Sequence, residues 1–180
     1  MLLVAGLPLT AAEVAPLAAD IRVLYPEYSE LHARRLALTN EFLPRLAARA
    51  QDPEGWQRAR EACAAAEDLE RLAVNAEGGF HGLGVGLWSL ARHLSEGEWS
   101  GPLELAGRWL RLRLEAREPH ADARQERLRL ALVEFAFVPR AESSLRLDQA
   151  VDRATLTLLD PAFAEAVPET WKHRMRATTP

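Results

Sequence analysis

The 180-residue sequence has little of what builds cross-linked, metal-bound or membrane proteins. Its single cysteine, Cys63, excludes an internal disulfide and a cysteine-rich zinc site. No apolar run approaches the roughly 20 residues that a membrane-spanning helix needs. The first residues, although apolar, lack the positively charged n-region of a signal peptide. We therefore expect a cytoplasmic protein with no membrane segment.

β-branched residues are also scarce. Valine, isoleucine and threonine together number 17, whereas alanine, leucine, arginine and glutamate, all good helix formers, number 102. This contrast predicts an all-α fold, a single-domain orthogonal or up-down bundle of about six or seven helices covering residues 1–180. We expect a glycine-rich break at 78–86, a loop at 97–101 and a basic, frayed tail at 171–180.

The predicted helices follow capping signals and apolar periodicity. Thr10 and Glu13 match a capping box and begin the first helix. Residues 128–138 are apolar almost all round, which fits a buried helix or a buried strand, and we favour the helix. The predicted helices span 10–24, 27–50, 53–76, 83–94, 102–117, 124–138 and 145–159, with a short one after Pro161.

Five of the ten glycines lie within residues 78–86. The run from His81 to Leu87 resembles the second glycine box of histidine-kinase-type ATPase domains, which implies a phosphate-binding segment. That family also has strands and an asparagine-bearing helix upstream, whereas the preceding residues here are predicted to be helical. We favour a packing role, because Gly78, Gly82 and Gly86 are four residues apart and would let two helices approach closely.

Four residues form a candidate ligand site near this segment. On a helix, His81, Trp88 and Arg92 lie along one stripe. Glu134 lies in the most apolar stretch, so if that stretch is buried its carboxyl group must be paired, hydrogen-bonded or protonated. No histidine pair has the i,i+4 spacing of a helical metal site. We expect no metal and no cofactor, and the sequence identifies no catalytic residue.

A candidate interface lies on the predicted helix over 103–117. Leu105, Trp109 and Leu112 widen its apolar arc beyond what one core contact needs, and the predicted helix over 145–159 offers a second apolar seam. Interface hot spots are enriched in tryptophan, which makes Trp109 the most useful probe of this surface. This pattern predicts a protein partner or self-association, with a homodimer as one form. The alternative is that both surfaces are packed inside the protein's own core.

Arginines are concentrated in residues 108–129, a stretch that contains seven arginines and four acidic residues. The candidate nucleic-acid contacts are Arg108, Arg111, Arg124 and Arg127. The whole chain is nevertheless acidic, with a net charge of −4, which argues against nucleic acid. We therefore expect a protein-interaction or regulatory protein. The first alternative is a small-molecule-binding or enzymatic helical bundle with a pocket near the glycine-rich segment. The second alternative is a nucleic-acid-binding protein that uses the arginines of 108–129.

Overall fold

A computed structural model describes residues 1–138 and 143–176. The helices among them are α1 (Ala11–Leu24), α2 (Glu30–Ala37), α3 (Leu43–Gln51), α4 (Pro53–Ala65), α5 (Leu69–Leu72), α6 (Phe80–Leu83), α7 (Val85–Arg92), α8 (Ser143–Arg153) and α9 (Glu169–Lys172). The strands are β1 (Leu2–Val4), β2 (Leu7–Leu9), β3 (Val74–Gly78), β4 (Leu103–Leu105), β5 (Arg108–Glu118), β6 (Arg127–Ala136), β7 (Leu156–Leu158) and β8 (Met175–Arg176). The predicted all-α bundle is therefore wrong, because the fold contains two β-sheets.

The contacts within the chain divide it into two compact units. The first unit comprises Met1–Pro53 and Val138–Pro180, and the second comprises Glu54–Phe137. The first unit has a sheet with the strand order β2-β1-β7-β8, in which β1 is antiparallel to both neighbours and β7 is parallel to β8. A tight turn at Ala5 and Gly6, both with positive φ, joins β1 to β2.

Two helices of the first unit begin at side-chain caps, α1 at Thr10 and α2 at Ser29. Thr10 and Glu13 form the predicted capping box, in which the Thr10 N–H donates to Glu13 Oε2 over 2.7 Å and the Glu13 N–H donates to Thr10 Oγ1 over 3.3 Å. A five-residue π-helical turn, Leu38–Phe42, joins α2 to α3. It ends two residues before Pro44, which has no N–H to continue a regular helix.

The second unit is built on an antiparallel sheet with the strand order β3-β6-β5-β4. Leu112 pairs with Leu132 across β5 and β6, so these two side chains share one face of the sheet. That face carries a buried cluster of Leu105, Leu110, Leu112 and Leu132, against which Leu87 and Leu90 of α7 pack. The opposite face carries Trp109, which packs with Trp56, Ala59 and Cys63 of α4.

Two predicted helices of this unit are strands. Residues 103–117 form β4 and most of β5, joined at Gly107, whose φ is +77°. Residues 128–138 lie largely in β6, so the strand alternative is right and the favoured helix is wrong. Residues 130–133 in the middle of β6 are all buried, so the alternation of exposed and buried residues at its start, 127–130, is lost there. Leucine favours helices when it is not packed against other residues. In these strands, packing of the leucines against neighbouring strands and helices outweighs that preference.

Other boundaries differ from the prediction as well. The predicted helix over 53–76 ends at Ala65, and its last residues belong to α5 and β3. The predicted helix over 145–159 ends at Arg153, and Leu156–Leu158 is a strand. Residues 97–101 form no helix or strand, although Trp99 makes an isolated bridge to Arg113. Of the predicted frayed tail, 171–176 carries the end of α9 and β8, and 177–180 lies outside the described residues.

Candidate functional site

The glycine segment is a sequence of turns. Gly84 separates α6 from α7 with a φ of +81°, a conformation that favours glycine. A side chain at Gly79 would place its Cβ 3.0 Å from the Glu126 carbonyl oxygen, so the backbone approaches closely there. Gly82 is exposed, and a Cβ at this position would meet nothing within 4 Å. Close helix packing therefore does not account for Gly82.

The structure brings three aromatic rings and Arg92 together beside this segment. Trp88 is fully buried, and its ring lies 6.4 Å from that of Phe80. His81 is exposed and its ring lies 3.8 Å from that of Phe80. The Arg92 guanidinium carbon lies 4.4 Å from the centre of the Trp88 ring, a cation–π contact. Trp88 therefore belongs to the core of the second unit, while His81 lies at its surface.

Glu134, the fourth candidate, lies on β6 opposite Leu110. It forms an ion pair with Arg108, whose Nη1 is 3.1 Å from Glu134 Oε1, and the Glu134 side chain is 18% exposed. A structural partner of this kind satisfies a carboxylate in an apolar stretch. The ligand-site hypothesis for these four residues stays a prediction.

A second carboxylate, Glu126, is more deeply buried than Glu134. Its side chain is 9% exposed, and Arg117 Nη1 lies 4.0 Å from its Oε1. The other nitrogen of that guanidinium, Nη2, donates to the backbone carbonyl of Arg92. Arg117 thus connects the β5–β6 end of the sheet to the last turn of α7. Sequence analysis missed this connection, because residues 92, 117 and 126 belong to separate elements.

The three candidate interface residues are buried within the second unit. Leu105 and Trp109 are each 8% exposed, and Leu112 is 0% exposed. Leu105 and Leu112 belong to the cluster beneath α7, whereas Trp109 belongs to the cluster beneath α4. They do not form one apolar arc, since successive strand residues point to opposite faces.

The four candidate nucleic-acid arginines each have an intramolecular contact. Arg108 pairs with Glu134, and Arg111 Nε donates to the Ser100 carbonyl. Arg124 forms bidentate hydrogen bonds with Asp122. Arg127 pairs with Glu77 over 2.8 Å. These side chains are held by carboxylates and a carbonyl on several elements, so nucleic acid stays a prediction with no further support.

A charged cluster ties the 97–101 segment to the sheet. The indole N–H of Trp99 donates to Glu70 Oε1 over 3.0 Å, and Arg113 donates to the same oxygen. These two hydrogen bonds, that from Trp99 first, hold the pKa of Glu70 below its ordinary value. Arg113 also contacts Glu115 over 2.6 Å and lies over the Trp99 ring. The cluster is a structural clamp, since every charge in it has a partner.

An open strand edge is the surface feature that sequence analysis missed. β3 pairs with β6 on one side, and no strand in the described ranges pairs with its other side, which we call the β3 edge. Val74 on β3 is 55% exposed, and Leu72 just before it is 46% exposed. Within 54–137, all of which the structure describes, these are the large apolar side chains most open to solvent. The alternation of apolar and polar residues in Val74–Gly78 was the available signal for a strand. The predicted helix over 53–76 included the first residues of this segment, so the strand was not predicted.

Comparison with family models, curated proteins and solved structures finds no match. Among the described residues, no cluster of three or more histidine, cysteine, aspartate or glutamate side chains could hold a metal ion. No helix in 1–138 or 143–176 combines the length and the apolar character needed to cross a membrane.

Proposed function

We propose that this is a protein-interaction protein that binds an extended polypeptide segment along the β3 edge. An unpaired strand presents a row of backbone N–H and C=O groups, and another strand can bind to them by β-augmentation. The observation that carries the proposal is the coincidence of this edge with Val74 and Leu72. Exposed apolar side chains beside unpaired backbone give a strand both hydrogen bonds and apolar contact.

The devices that proteins use to block strand edges are weak here. Natural edges are protected by lysine, proline, bulges or a covering element. β3 contains neither lysine nor proline, and its pairing with β6 runs without a register shift from Val74 to Gly78. Its one charged residue is Glu77, which is already paired with Arg127. The absence of lysine, proline and a bulge from β3 supports the addition of a fifth strand there.

The direct test is peptide binding by fluorescence polarisation. The probe is a labelled peptide of alternating valine and threonine with a lysine at each end, and the matched control peptide replaces the central residues with proline. The purified chain should bind the first peptide and not the second, since proline cannot donate the ladder hydrogen bonds. Equal binding of both peptides, or of neither, contradicts the proposal.

Two variants locate the binding surface. Val74→Lys removes the exposed apolar side chain of the β3 edge and should weaken binding of the alternating peptide, because the added strand loses its apolar contact there. Val23→Lys makes the same change at a valine of α1 that is 45% exposed, and should leave binding unchanged. A loss of binding that is equal in both variants would assign the effect to charge alone.

A further inference from the structure

We propose that the strand bound at the β3 edge comes from a second copy of this chain, an inference that rests on the strand-addition function proposed above. When a two-fold axis relates two copies of the chain, their β3 strands run antiparallel to each other. The interface is then made of the same residues on both sides. The result is a continuous sheet of eight strands, since the sheet of each second unit contains four.

Symmetry restricts how the two strands align. Hydrogen-bonded and non-hydrogen-bonded pairs alternate along an antiparallel ladder. A two-fold axis must therefore pass through a residue paired with its own copy, since two adjacent equivalent pairs would break the alternation. For the five residues of β3, the alignment that pairs all of them has Ala76 opposite Ala76.

The side chains of β3 suit this alignment. Glu77 lies opposite Asn75 of the other copy, so a carboxylate faces an amide N–H₂ group, which can donate to it. Val74 lies opposite Gly78, which has no side chain to compete for the space. Moving the alignment so that Glu77 pairs with itself would set two carboxylates face to face, which destabilises a sheet. The side chains of the edge therefore complement a second copy in the alignment centred on Ala76 and oppose the alignment centred on Glu77.

Sedimentation equilibrium over a concentration series tests the proposal. The wild-type chain should approach twice the 20.0 kDa of one chain as concentration rises. Asn75→Asp should raise the dimer dissociation constant on the order of tenfold, because a new carboxylate faces Glu77 twice in the symmetric dimer. Asn75→Lys should lower it by a similar factor, because the same two contacts become ion pairs. Residue 75 is exposed, so both variants should fold.

The outcomes separate this inference from the proposed function. A wild-type chain that stays monomeric but binds the alternating peptide overturns the second copy as occupant and keeps strand addition. The register is overturned if Asn75→Asp and Asn75→Lys change the dissociation constant of the dimer in the same direction. It is also overturned if neither variant changes that constant. A monomer that binds no peptide contradicts both proposals.

Discussion

Replacing Leu112 with alanine tests whether the apolar run of β5 is a strand packed beneath α7. Leu112 is 0% exposed and lies in the cluster with Leu105, Leu110 and Leu132. The substitution removes three carbon atoms from the core, each worth about 0.8 kcal/mol in transfer free energy, and leaves a cavity that adds to the loss. We expect the free energy of unfolding of the second unit to fall by about 3 kcal/mol.

Urea unfolding followed by tryptophan fluorescence is a suitable assay, because Trp56, Trp88, Trp99 and Trp109 lie in the second unit and only Trp171 lies outside it. The matched control is Leu72→Ala, measured at low concentration. Leu72 is 46% exposed, so the loss should stay below about 1 kcal/mol.

A loss for Leu112→Ala no larger than that for Leu72→Ala would refute the placement of Leu112 in the core. If Leu112→Ala does not fold, Leu112→Val keeps the test available. It removes one carbon atom and should cost about 1 kcal/mol.

Three further predictions concern individual side chains. Thr10→Ala removes the capping box of α1 and should lower the free energy of unfolding by about 1 kcal/mol in a urea titration, and an unchanged midpoint would contradict this. Hydrogen bonds from the side chain and backbone of Arg124 hold the pKa of Asp122 at about 2, so Arg124→Ala should raise that pKa in an NMR titration. The depressed pKa stabilises the fold above the unfolded pKa, and this contribution is lost as pH falls through about 2. Burial raises the pKa of the Cys63 thiol, so iodoacetamide should modify it much faster in denaturant than in buffer, and equal rates would contradict its burial.

Local signals in the sequence predicted the starts of α1 and α4 well. The capping box at Thr10 and the Asp52-Pro53 start of α4 are set by neighbouring backbone groups, so a few adjacent residues determine them. The sheet of the second unit depends on pairing between distant residues. Leu112 and Leu132 are twenty positions apart, and nothing near either of them specifies the other.

The candidate site was harder to predict for the same reason. His81, Trp88 and Arg92 do lie close to one another along the chain, and the structure links Phe80, Trp88 and Arg92 through ring contacts. The β3 edge is defined by a missing neighbour in the sheet, which is a property of strand order. Alternation in Arg111 to Leu114 and in Arg127 to Leu130 was a visible strand signal, but abundant leucine and arginine favoured the helix.

Hydrogen exchange of residues 72–79 at low and high protein concentration tests the central claim most directly. If β3 pairs with a second copy, its outward-facing amides gain hydrogen bonds on association and should exchange more slowly as concentration rises. Exchange in α1, around Val23, should not change. The account predicts concentration-dependent protection confined to the β3 segment and lost in Val74→Lys. Exchange of this segment that is equally fast at every concentration, while the chain sediments as a dimer, would contradict it.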